Sequence, residues 1–213
     1  MGFEISSSDY VEYLKAFYDV LQENKDYVTD LDLATGDGDH WLNMNTGFGE
    51  VLKNEEELKN LNLQDLFKKI SMTLMAKVGG SSGVLYGGAY MAAAKTLGDV
   101  EYIGRNELYN IWSAMLEDIM KRGKTELGSK TMVDALAPAV EQLKVKIEED
   151  ADDKELLESV AVAAVEGADA TRDMPAIRGR ASYQANKGVG HLDPGAVTMA
   201  YQIETLCNYL LNN

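Results

Sequence analysis

Apolar residues recur every three or four positions along most of this chain, the spacing that places them on one face of an α-helix. The first such stretch follows a candidate cap at Ser8 or Asp9, and its apolar face comprises Tyr10, Leu14, Phe17, Tyr18 and Leu21. The strict alternation of apolar and polar residues that marks a half-buried strand is scarce. We therefore expect an all-α domain of about eight antiparallel helices.

The same pattern predicts further helices. Asn62 can cap one of them, and the others span 82–97, 106–122, 130–147, 154–171 and 195–211. One of these contains Pro138, which a helix interior accepts only with a kink. Another is rich in small residues and contains Gly87 and Gly88, which indicate the close approach of another backbone or of a ligand.

Composition limits the partners that such a domain can have. The chain has 213 residues, 46% of them hydrophobic, so we expect one globular domain over 1–213. A formal net charge of −15 argues against nucleic acid and against an anionic membrane surface, because both select basic proteins. No run of about 18 apolar residues predicts a membrane helix. The single cysteine, Cys207, is expected to be a packed core thiol in a cytoplasmic protein without an internal disulfide.

Three aspartates lie close together in D-L-A-T-G-D-G-D-H, residues 32–40. The glycines on either side of Asp37 let the chain fold tightly, which would bring its carboxylate together with those of Asp32 and Asp39 in one loop. Like charges gathered in this way need water between them or a cation. Oxygen ligands alone favour Mg²⁺ over Zn²⁺, and Mg²⁺ held by a few carboxylates usually takes phosphate oxygens as its other ligands.

A polar turn and a calcium-binding loop are the other structures that such a segment can form. A D-G-D sequence by itself often forms only a polar turn, and that alternative stays open. A calcium-binding EF-hand is excluded, because its pattern needs glycine at the sixth position and glutamate at the twelfth. Counting from Asp37, these positions hold Leu42 and Phe48, and counting from Asp32 they hold Asp37 and Asn43.

A second candidate site is the segment K-V-G-G-S-S-G-V-L-Y-G, residues 77–87, which places a Gly/Ser turn at the predicted start of a helix. Backbone amides and hydroxyls at a helix N-terminus suit phosphate oxygens, although an ordinary helix cap uses the same residues. The chain contains neither a Walker A sequence nor a G-x-G-x-x-G fingerprint after a plausible strand. Nucleotide binding therefore cannot be inferred from either of these familiar folds.

The segment 172–194 stands apart because it shows little helical pattern and carries a basic island in an acidic protein. The basic residues are Arg172, Arg178, Arg180 and Lys187. A stretch of about 20 residues without regular structure is either disordered or functional. We expect an ordered loop, because the segment also contains Tyr183, Val189 and Leu192 and ends in G-H-L-D-P-G.

Four motifs occur in a fixed order along the chain. They are D-x-x-x-x-D-x-D-H, G-G-S-S-G-x-L-Y-G, G-S-K-T-M-V-D-A-L-x-P-A, and G-R-A-S-Y followed by G-H-L-D-P-G-A. Together they resemble the L subunits of dihydroxyacetone kinases, a domain that also ends single-chain ATP-dependent kinases and begins some fatty-acid kinases. The motifs run from residue 32 to 196, and the chain length suggests the free-standing subunit of the phosphotransferase-linked form.

This resemblance implies a closed up-and-down barrel of eight helices with the nucleotide at one mouth. It implies that Asp32, Asp37 and Asp39 hold two Mg²⁺ ions against the phosphates of ADP or ATP. The implied nucleotide contacts are His40, Asn43, Met44, Ser81, Ser82, Gly123, Met132, Arg180, Asp193 and Gly195. Arg180 is the implied catalytic residue among them, since its charge can offset that of the phosphoryl group.

The resemblance also implies that the chain works with two partner subunits. ADP would stay bound, a subunit carrying phosphohistidine would rephosphorylate it, and the γ-phosphoryl of the resulting ATP would pass to dihydroxyacetone on another subunit. Phosphoryl transfer needs positioning and charge neutralisation more than a protein nucleophile. The alternatives are a kinase subunit for another ketose or a fatty acid, a self-sufficient Mg²⁺-dependent phosphohydrolase, and a non-catalytic nucleotide-binding adaptor.

Three residues depart from the usual pattern of the resembled family. Trp41, Val84 and Ser129 stand where that family usually has Gly, Pro and Asp, which puts local loop geometry in doubt but spares the implied metal ligands. Trp41 is expected to be a packed aromatic. Without the resemblance, Met132 would be interpreted as a core residue. His191 is expected to shape its loop rather than to act as a catalytic base.

Overall fold

The structure is a computed structural model that describes residues 2–213, and within them the chain forms ten α-helices. They are α1 (Ser7–Glu23), α2 (Lys25–Thr35), α3 (His40–Leu52), α4 (Glu55–Lys59), α5 (Leu63–Lys77), α6 (Gly80–Leu97), α7 (Arg105–Gly123), α8 (Val133–Glu148), α9 (Asp153–Ala170) and α10 (Pro194–Asn212). Across these same residues, extended pairing is limited to one isolated bridge between Ile5 and Ile103. The expected all-α class is confirmed.

Eight of the ten helices described in residues 2–213 form a closed ring. Helix α1 packs on α3 and α3 on α5, after which each helix from α5 to α10 packs on the next, and α10 returns to α1. Helix α2 contacts α3 and α10, and the short α4 contacts α1 and α5, so both lie beside the ring. The count of about eight therefore holds for the ring, although the apolar pattern locates only seven of its members and misses α3, as well as α2 and α4 beside the ring.

Neighbouring helices of the ring run in opposite directions. The Tyr201 hydroxyl of α10 donates to Asn24 after the end of α1, and the Tyr209 hydroxyl donates to Asp9 near its start. The Trp41 indole at the start of α3 donates to the carbonyl of Leu21 at the end of α1, at 2.9 Å. Short connections reverse the chain between the packed helices α5 to α9. The ring is therefore an up-and-down barrel.

The interior of the barrel is apolar and rich in aromatic rings. Phe17 and Phe48 meet edge to face with centroids 5.0 Å apart, and such aromatic pairs add to the stabilisation from burial. Three buried tyrosine hydroxyls are paired, since Tyr10 donates to Tyr90 at 3.3 Å and the Gln202 amide donates to Tyr86. Cys207 is fully buried, and burial raises the pKa of its thiol to about 12, which confirms the expected core thiol.

None of the helices in residues 2–213 is both long and apolar enough to cross a bilayer.

Two glycines let helices of the ring approach closely. A Cβ on Gly87 of α6 would lie 2.3 Å from Met75 Cγ and 3.1 Å from the carbonyl of Ser71 on α5, so the expected close approach is confirmed there. A Cβ on Gly167 of α9 would lie 2.1 Å from the carbonyl of Asp134 on α8. Pro138 lies inside α8 as expected, four residues after Asp134, and it has no N–H to donate to the Asp134 carbonyl. Helix α9 packs against this carbonyl at Gly167.

Several predicted boundaries are wrong for identifiable reasons. Helix α1 is capped by Ser6, not by Ser8 or Asp9, because Asp9 is the other half of a capping box with Ser6. Helix α8 begins at Val133, not at 130, because Lys130 has a φ of 60°, which a right-handed helix does not contain. The aspartates do not share one loop, because Asp32 lies in the last turn of α2 and a tight turn connects it to α3.

Candidate functional site

A cavity of about 630 Å³ opens at one end of the barrel. Its wall is formed by the end of α2, the starts of α3, α6 and α10, the end of α7 and the loop before α8. Every site residue predicted from the sequence lines this cavity except Met44. Met44 is fully buried in the core on the inner face of α3, next to Asn43, which does line the cavity.

Three carboxylates converge at the end of α2. Asp32, Asp37 and Asp39 each present an oxygen atom, and these atoms all lie within 4.8 Å of one another. Asp32 is buried and accepts a hydrogen bond from the His40 amide at 2.9 Å, whereas Asp37 and Asp39 are exposed. A Cβ on Gly36 would come within 2.3 Å of the Asp32 carboxylate, so the turn needs glycine there. A hard, all-oxygen set whose members repel one another fits Mg²⁺.

One cation already faces this carboxylate cluster. The Arg180 guanidinium lies 2.5 Å from Asp37, and its side chain is 66% exposed. It comes from the connection between α9 and α10, and Arg180 lies 143 positions after Asp37 in the sequence. The fold therefore brings together the two features of opposite charge that the sequence had singled out separately.

The start of α6 faces the cavity with backbone amides. Gly79 caps the helix without a side-chain hydrogen bond, Gly80 has a φ of 63°, and both glycines line the cavity. The first amides of any α-helix have no partner within the helix, and together with the hydroxyls of Ser81 and Ser82 they form a surface suited to phosphate. A Cβ on Gly79 would lie 2.6 Å from the Asn43 side chain, which shows how closely α3 and this turn approach.

Another part of the cavity wall is mostly apolar. It is lined by Leu85, Ile119, Gly123, Thr125 and Met132. An apolar slot beside a polar, anion-binding surface is the usual composition of a site for a small organic ligand with a charged end. Met132 is buried in the core and also lines the cavity, so both interpretations of this residue describe its position.

Two titratable groups lie deep in the cavity wall. Burial lowers the pKa of His40 to about 4, which the Asp32 carboxylate only partly opposes, and His40 Nε2 lies 2.9 Å from the Thr198 hydroxyl. The imidazole is therefore neutral at pH 7. Burial raises the pKa of Asp193 to about 7. The hydrogen bond from the Ala196 amide, at 2.8 Å, favours the charged carboxylate and lowers this pKa, but its effect is smaller than that of burial. Asp193 thereby caps α10.

Some residues of the cavity wall were missed from the sequence. Lys130 was assigned to a helix, although its place in the G-S-K-T-M motif was a usable signal, and it lines the cavity from the loop before α8. The buried Asp134 carboxylate accepts hydrogen bonds from the amides of Gly128 and Thr131 and so fixes this loop. Arg122 also lines the cavity, but no motif distinguishes it from other surface arginines, and Arg178 of the basic island lies in the wall as well.

The connection between α9 and α10, residues 171–193 and hereafter the Arg180 segment, is ordered, but not for the reason expected. Leu192 is buried as anticipated, whereas Tyr183 is 91% exposed and Val189 is exposed as well. Hydrogen bonds hold the segment instead, and they include Ala176 N to Lys187 O, Gly190 N to Arg172 O, Ile177 N to Ser129 O and the Gln184 side chain to Ala34 O. His191 is exposed and takes part through its backbone, as a residue that shapes the loop would.

The three departures from the resembled pattern have local explanations. Trp41 is half-buried against the core with the Lys25 ammonium 5.0 Å from its ring, so the expected packed aromatic is confirmed. Ser129 is buried, and its hydroxyl accepts from the Glu126 amide at 3.0 Å, so it stabilises its own turn. Val84 is exposed in the first turns of α6. All three substitutions are compatible with the carboxylate cluster as it stands.

Known proteins share both the sequence and the fold. A family model described as the DAK2 domain matches residues 34–208. The ADP-binding subunit DhaL of the PTS-dependent dihydroxyacetone kinase of Lactococcus lactis is 42% identical, over 92% of this chain and 94% of that protein. The ADP-binding subunit DhaL of the PEP-dependent dihydroxyacetone kinase of Escherichia coli is 34% identical, over 95% and 96%. The solved structure of the dihydroxyacetone kinase from C. freundii in complex with AMP-PNP and Mg²⁺ has a TM-score of 0.70 at 25% identity, over 93% of this chain and 33% of that one.

Proposed function

Because this chain belongs to the DAK2 domain family, we propose that it is the ADP-binding subunit of a dihydroxyacetone kinase, formed by a single domain over 1–213. It is a kinase subunit that acts together with partner subunits. The observation that carries the proposal is the arrangement of one cavity, in which three carboxylates and the open first turn of α6 line the same space of about 630 Å³. Metal and phosphate ligands are thus placed side by side.

Each part of the cavity has a role in this proposal. Asp32, Asp37 and Asp39 would hold two Mg²⁺ ions, which supply positive charge against the phosphates when they are bound. The turn at Ser81 and Ser82 would bind phosphate oxygens, and Arg180 would add one further charge at the phosphoryl group. His40, Asn43, Asp193 and Gly195 would complete the phosphate side, while Gly123 and Met132 would contact the base. Met44 would support α3 from the core.

Neither the histidine that lines the cavity nor the cysteine is suited to carry the phosphoryl. His40 is buried and neutral and is engaged with Thr198, while Cys207 is fully buried in the barrel core. A bound ADP would supply the acceptor for the incoming phosphoryl and, once phosphorylated, the donor for the next transfer. The role of this chain is then to orient the nucleotide, neutralise its charge and exclude water, which are the main contributions of protein to phosphoryl transfer.

Two partners follow from this role. A phosphohistidine-carrying phosphotransferase subunit would bring the phosphoryl group to ADP, and a dihydroxyacetone-binding subunit would present the acceptor hydroxyl. The names of the relatives from Lactococcus lactis and Escherichia coli, which are PTS-dependent and PEP-dependent kinase subunits, support this division of labour. A cytoplasmic location fits it as well, because a reduced cysteine and a supply of nucleotide belong together there.

Reconstitution with purified partner subunits tests the function. Radiolabelled phosphoryl on the phosphohistidine subunit is expected to appear on dihydroxyacetone only when this chain, ADP and the dihydroxyacetone-binding subunit are all present. Omission of this chain should lower the transfer to background. Steady hydrolysis of ATP by the chain alone would support a phosphohydrolase instead, and the absence of transfer with every partner would support a non-catalytic adaptor. If the phosphoryl group is transferred to a different ketose and not to dihydroxyacetone, the proposed acceptor is wrong and the kinase function stands.

A further inference from the structure

Lys130 is a buried cation in the cavity wall. The residue is only 2% exposed, and lysine is almost never fully buried in a protein unless its ammonium is paired. It lies in the loop between α7 and α8 with a φ of 60°, a backbone conformation that non-glycine residues seldom adopt. Strain of this kind persists only where the surroundings hold the residue in place, so the position of this ammonium is closely determined.

The Lys130 ammonium joins the two ends of the Arg180 segment. Its Nζ donates to the carbonyl of Thr171 at 2.5 Å and also to the carbonyl of His191. These two residues are 20 positions apart and lie at the beginning and near the end of the segment. The Asp193 amide donates to the Thr171 hydroxyl at 3.0 Å, which is a second link between the two ends of the segment. The segment is therefore a loop whose two ends are joined through one side chain of another loop.

The stem of Lys130 also lies against the segment at Gly188. A Cβ on Gly188 would lie 3.1 Å from Lys130 Cε and 3.1 Å from Ala181 Cβ, and 3.5 Å from Thr35 on α2. Lys130 therefore packs under the turn that touches Ala181, the neighbour of Arg180. The same packing extends to the end of the helix that carries Asp32. A displacement of the lysine would therefore shift the segments that carry both partners of the ion pair between Arg180 and Asp37.

We propose that Lys130 is a positioning residue that holds the Arg180 segment closed over the cavity, so that Arg180 stays beside Asp37 and a bound nucleoside diphosphate leaves slowly. Lysine suits this task because its ammonium has three donors on a long stem and can serve carbonyls from two places at once. The ligand in this statement rests on the proposed function. The closure of the loop by the ammonium is a property of the protein alone, and it can be tested without nucleotide.

Hydrogen exchange of the ligand-free protein tests the closure directly. Lys130→Met keeps the length of the stem and removes the donors, so the amides of Ala176, Gly190 and Asp193 are expected to exchange at least tenfold faster than in the wild type. Lys187→Met is the matched control, since Lys187 is in the same segment with a φ of 52° and an exposed side chain. Its exchange is expected to equal that of the wild type.

Amides of α5 serve as an internal reference for global stability. If Lys130→Met leaves exchange in the segment unchanged, or accelerates α5 to the same extent, Lys130 does not act on the segment and the proposal is overturned. Lys130→Arg provides a rescue test, because a guanidinium can also donate to two carbonyls. It is expected to restore at least part of the slow exchange, and a rescue no better than methionine would contradict a role for the donors.

Release of a fluorescent ADP analogue in the presence of Mg²⁺ tests the functional consequence. Dissociation from Lys130→Met is expected to be about tenfold faster than from the wild type and from Lys187→Met, with Lys130→Arg in between. Equal dissociation rates in all four proteins would overturn the proposal for the ligand. Failure of the wild type to bind the analogue would overturn the proposed function instead, and hydrogen exchange would still decide whether Lys130 closes the segment.

Discussion

Replacement of Asp39 or Asp37 with asparagine is expected to weaken the binding of Mg-ADP by a factor on the order of a hundred or more while leaving the fold intact. Two unit charges about 4 Å apart interact by about 4 kcal/mol near a protein surface, and each 1.4 kcal/mol corresponds to a factor of about ten in affinity. The three carboxylates share one small volume, so loss of one leaves the phosphate charge uncompensated. Isothermal titration calorimetry with ADP and Mg²⁺ measures the effect.

The ligand-free protein should respond in the opposite direction. The Asp39 side chain is exposed and is repelled by the neighbouring carboxylates, so it is not needed for folding, and Asp39→Asn should leave the melting temperature unchanged or slightly higher. Asp30→Asn is the matched control, because Asp30 is an exposed aspartate of α2 outside the cluster. Unchanged affinity for Mg-ADP in both Asp37→Asn and Asp39→Asn would show that the cluster is not the metal site.

Replacement of Arg180 with alanine is expected to accelerate the release of ADP by a factor of roughly ten to a hundred and to lower phosphoryl transfer. A hydrogen bond to a charged group contributes about 1.5–3 kcal/mol, and the exposure of Arg180 places its contribution toward the lower end. Without ligand, Arg180 is paired with Asp37, so a metal ion that binds Asp37 competes with the guanidinium. Stopped-flow release of a fluorescent ADP analogue measures the first effect.

The affinity of Arg180→Ala for Mg²⁺ without nucleotide distinguishes the loss of a phosphate contact from a general disruption of the carboxylate cluster. Because an exposed ion pair is worth at most about 1 kcal/mol, Arg180→Ala should bind Mg²⁺ equally well or up to about fivefold more tightly in the absence of nucleotide. Lys187→Ala, an exposed change in the same segment, should alter neither quantity. Slower or unchanged ADP release, or weaker binding of Mg²⁺ alone, would contradict the assignment of Arg180 to the phosphate.

The sequence predicts most of the ring helices and the clustering of the three aspartates well, because both depend on local patterns. Helical spacing located α5 to α10 to within a few residues, and the spacing of Asp32, Asp37 and Asp39 around two glycines predicted the cluster that the structure contains. The helices α2 and α3 were missed because their adjoining ends form the carboxylate cluster. Polar residues there interrupt the apolar stripe on which the helix prediction relied.

What the sequence could not supply depends on contacts between distant residues. The pairing of Arg180 with Asp37 joins segments that are 143 positions apart, which no local pattern reports. The neighbours of Lys130 favour a helix, whereas the residue has a φ of 60° in a loop held by the Asp134 carboxylate, and its ammonium donates to carbonyls of the distant Arg180 segment. Tyr183 was expected to anchor that segment, but an aromatic residue by itself does not show whether the fold provides a pocket for it.

Native mass spectrometry of the purified protein in Mg²⁺ and ADP tests the central claim most directly, namely that this chain holds Mg-ADP as a bound cofactor. The expected spectrum is dominated by a species that carries one ADP and two magnesium ions, and Asp39→Asn under the same conditions should give the bare chain. A spectrum of the wild type with no nucleotide at millimolar ADP and Mg²⁺ would contradict the claim, as would an ADP adduct that persists unchanged in Asp39→Asn.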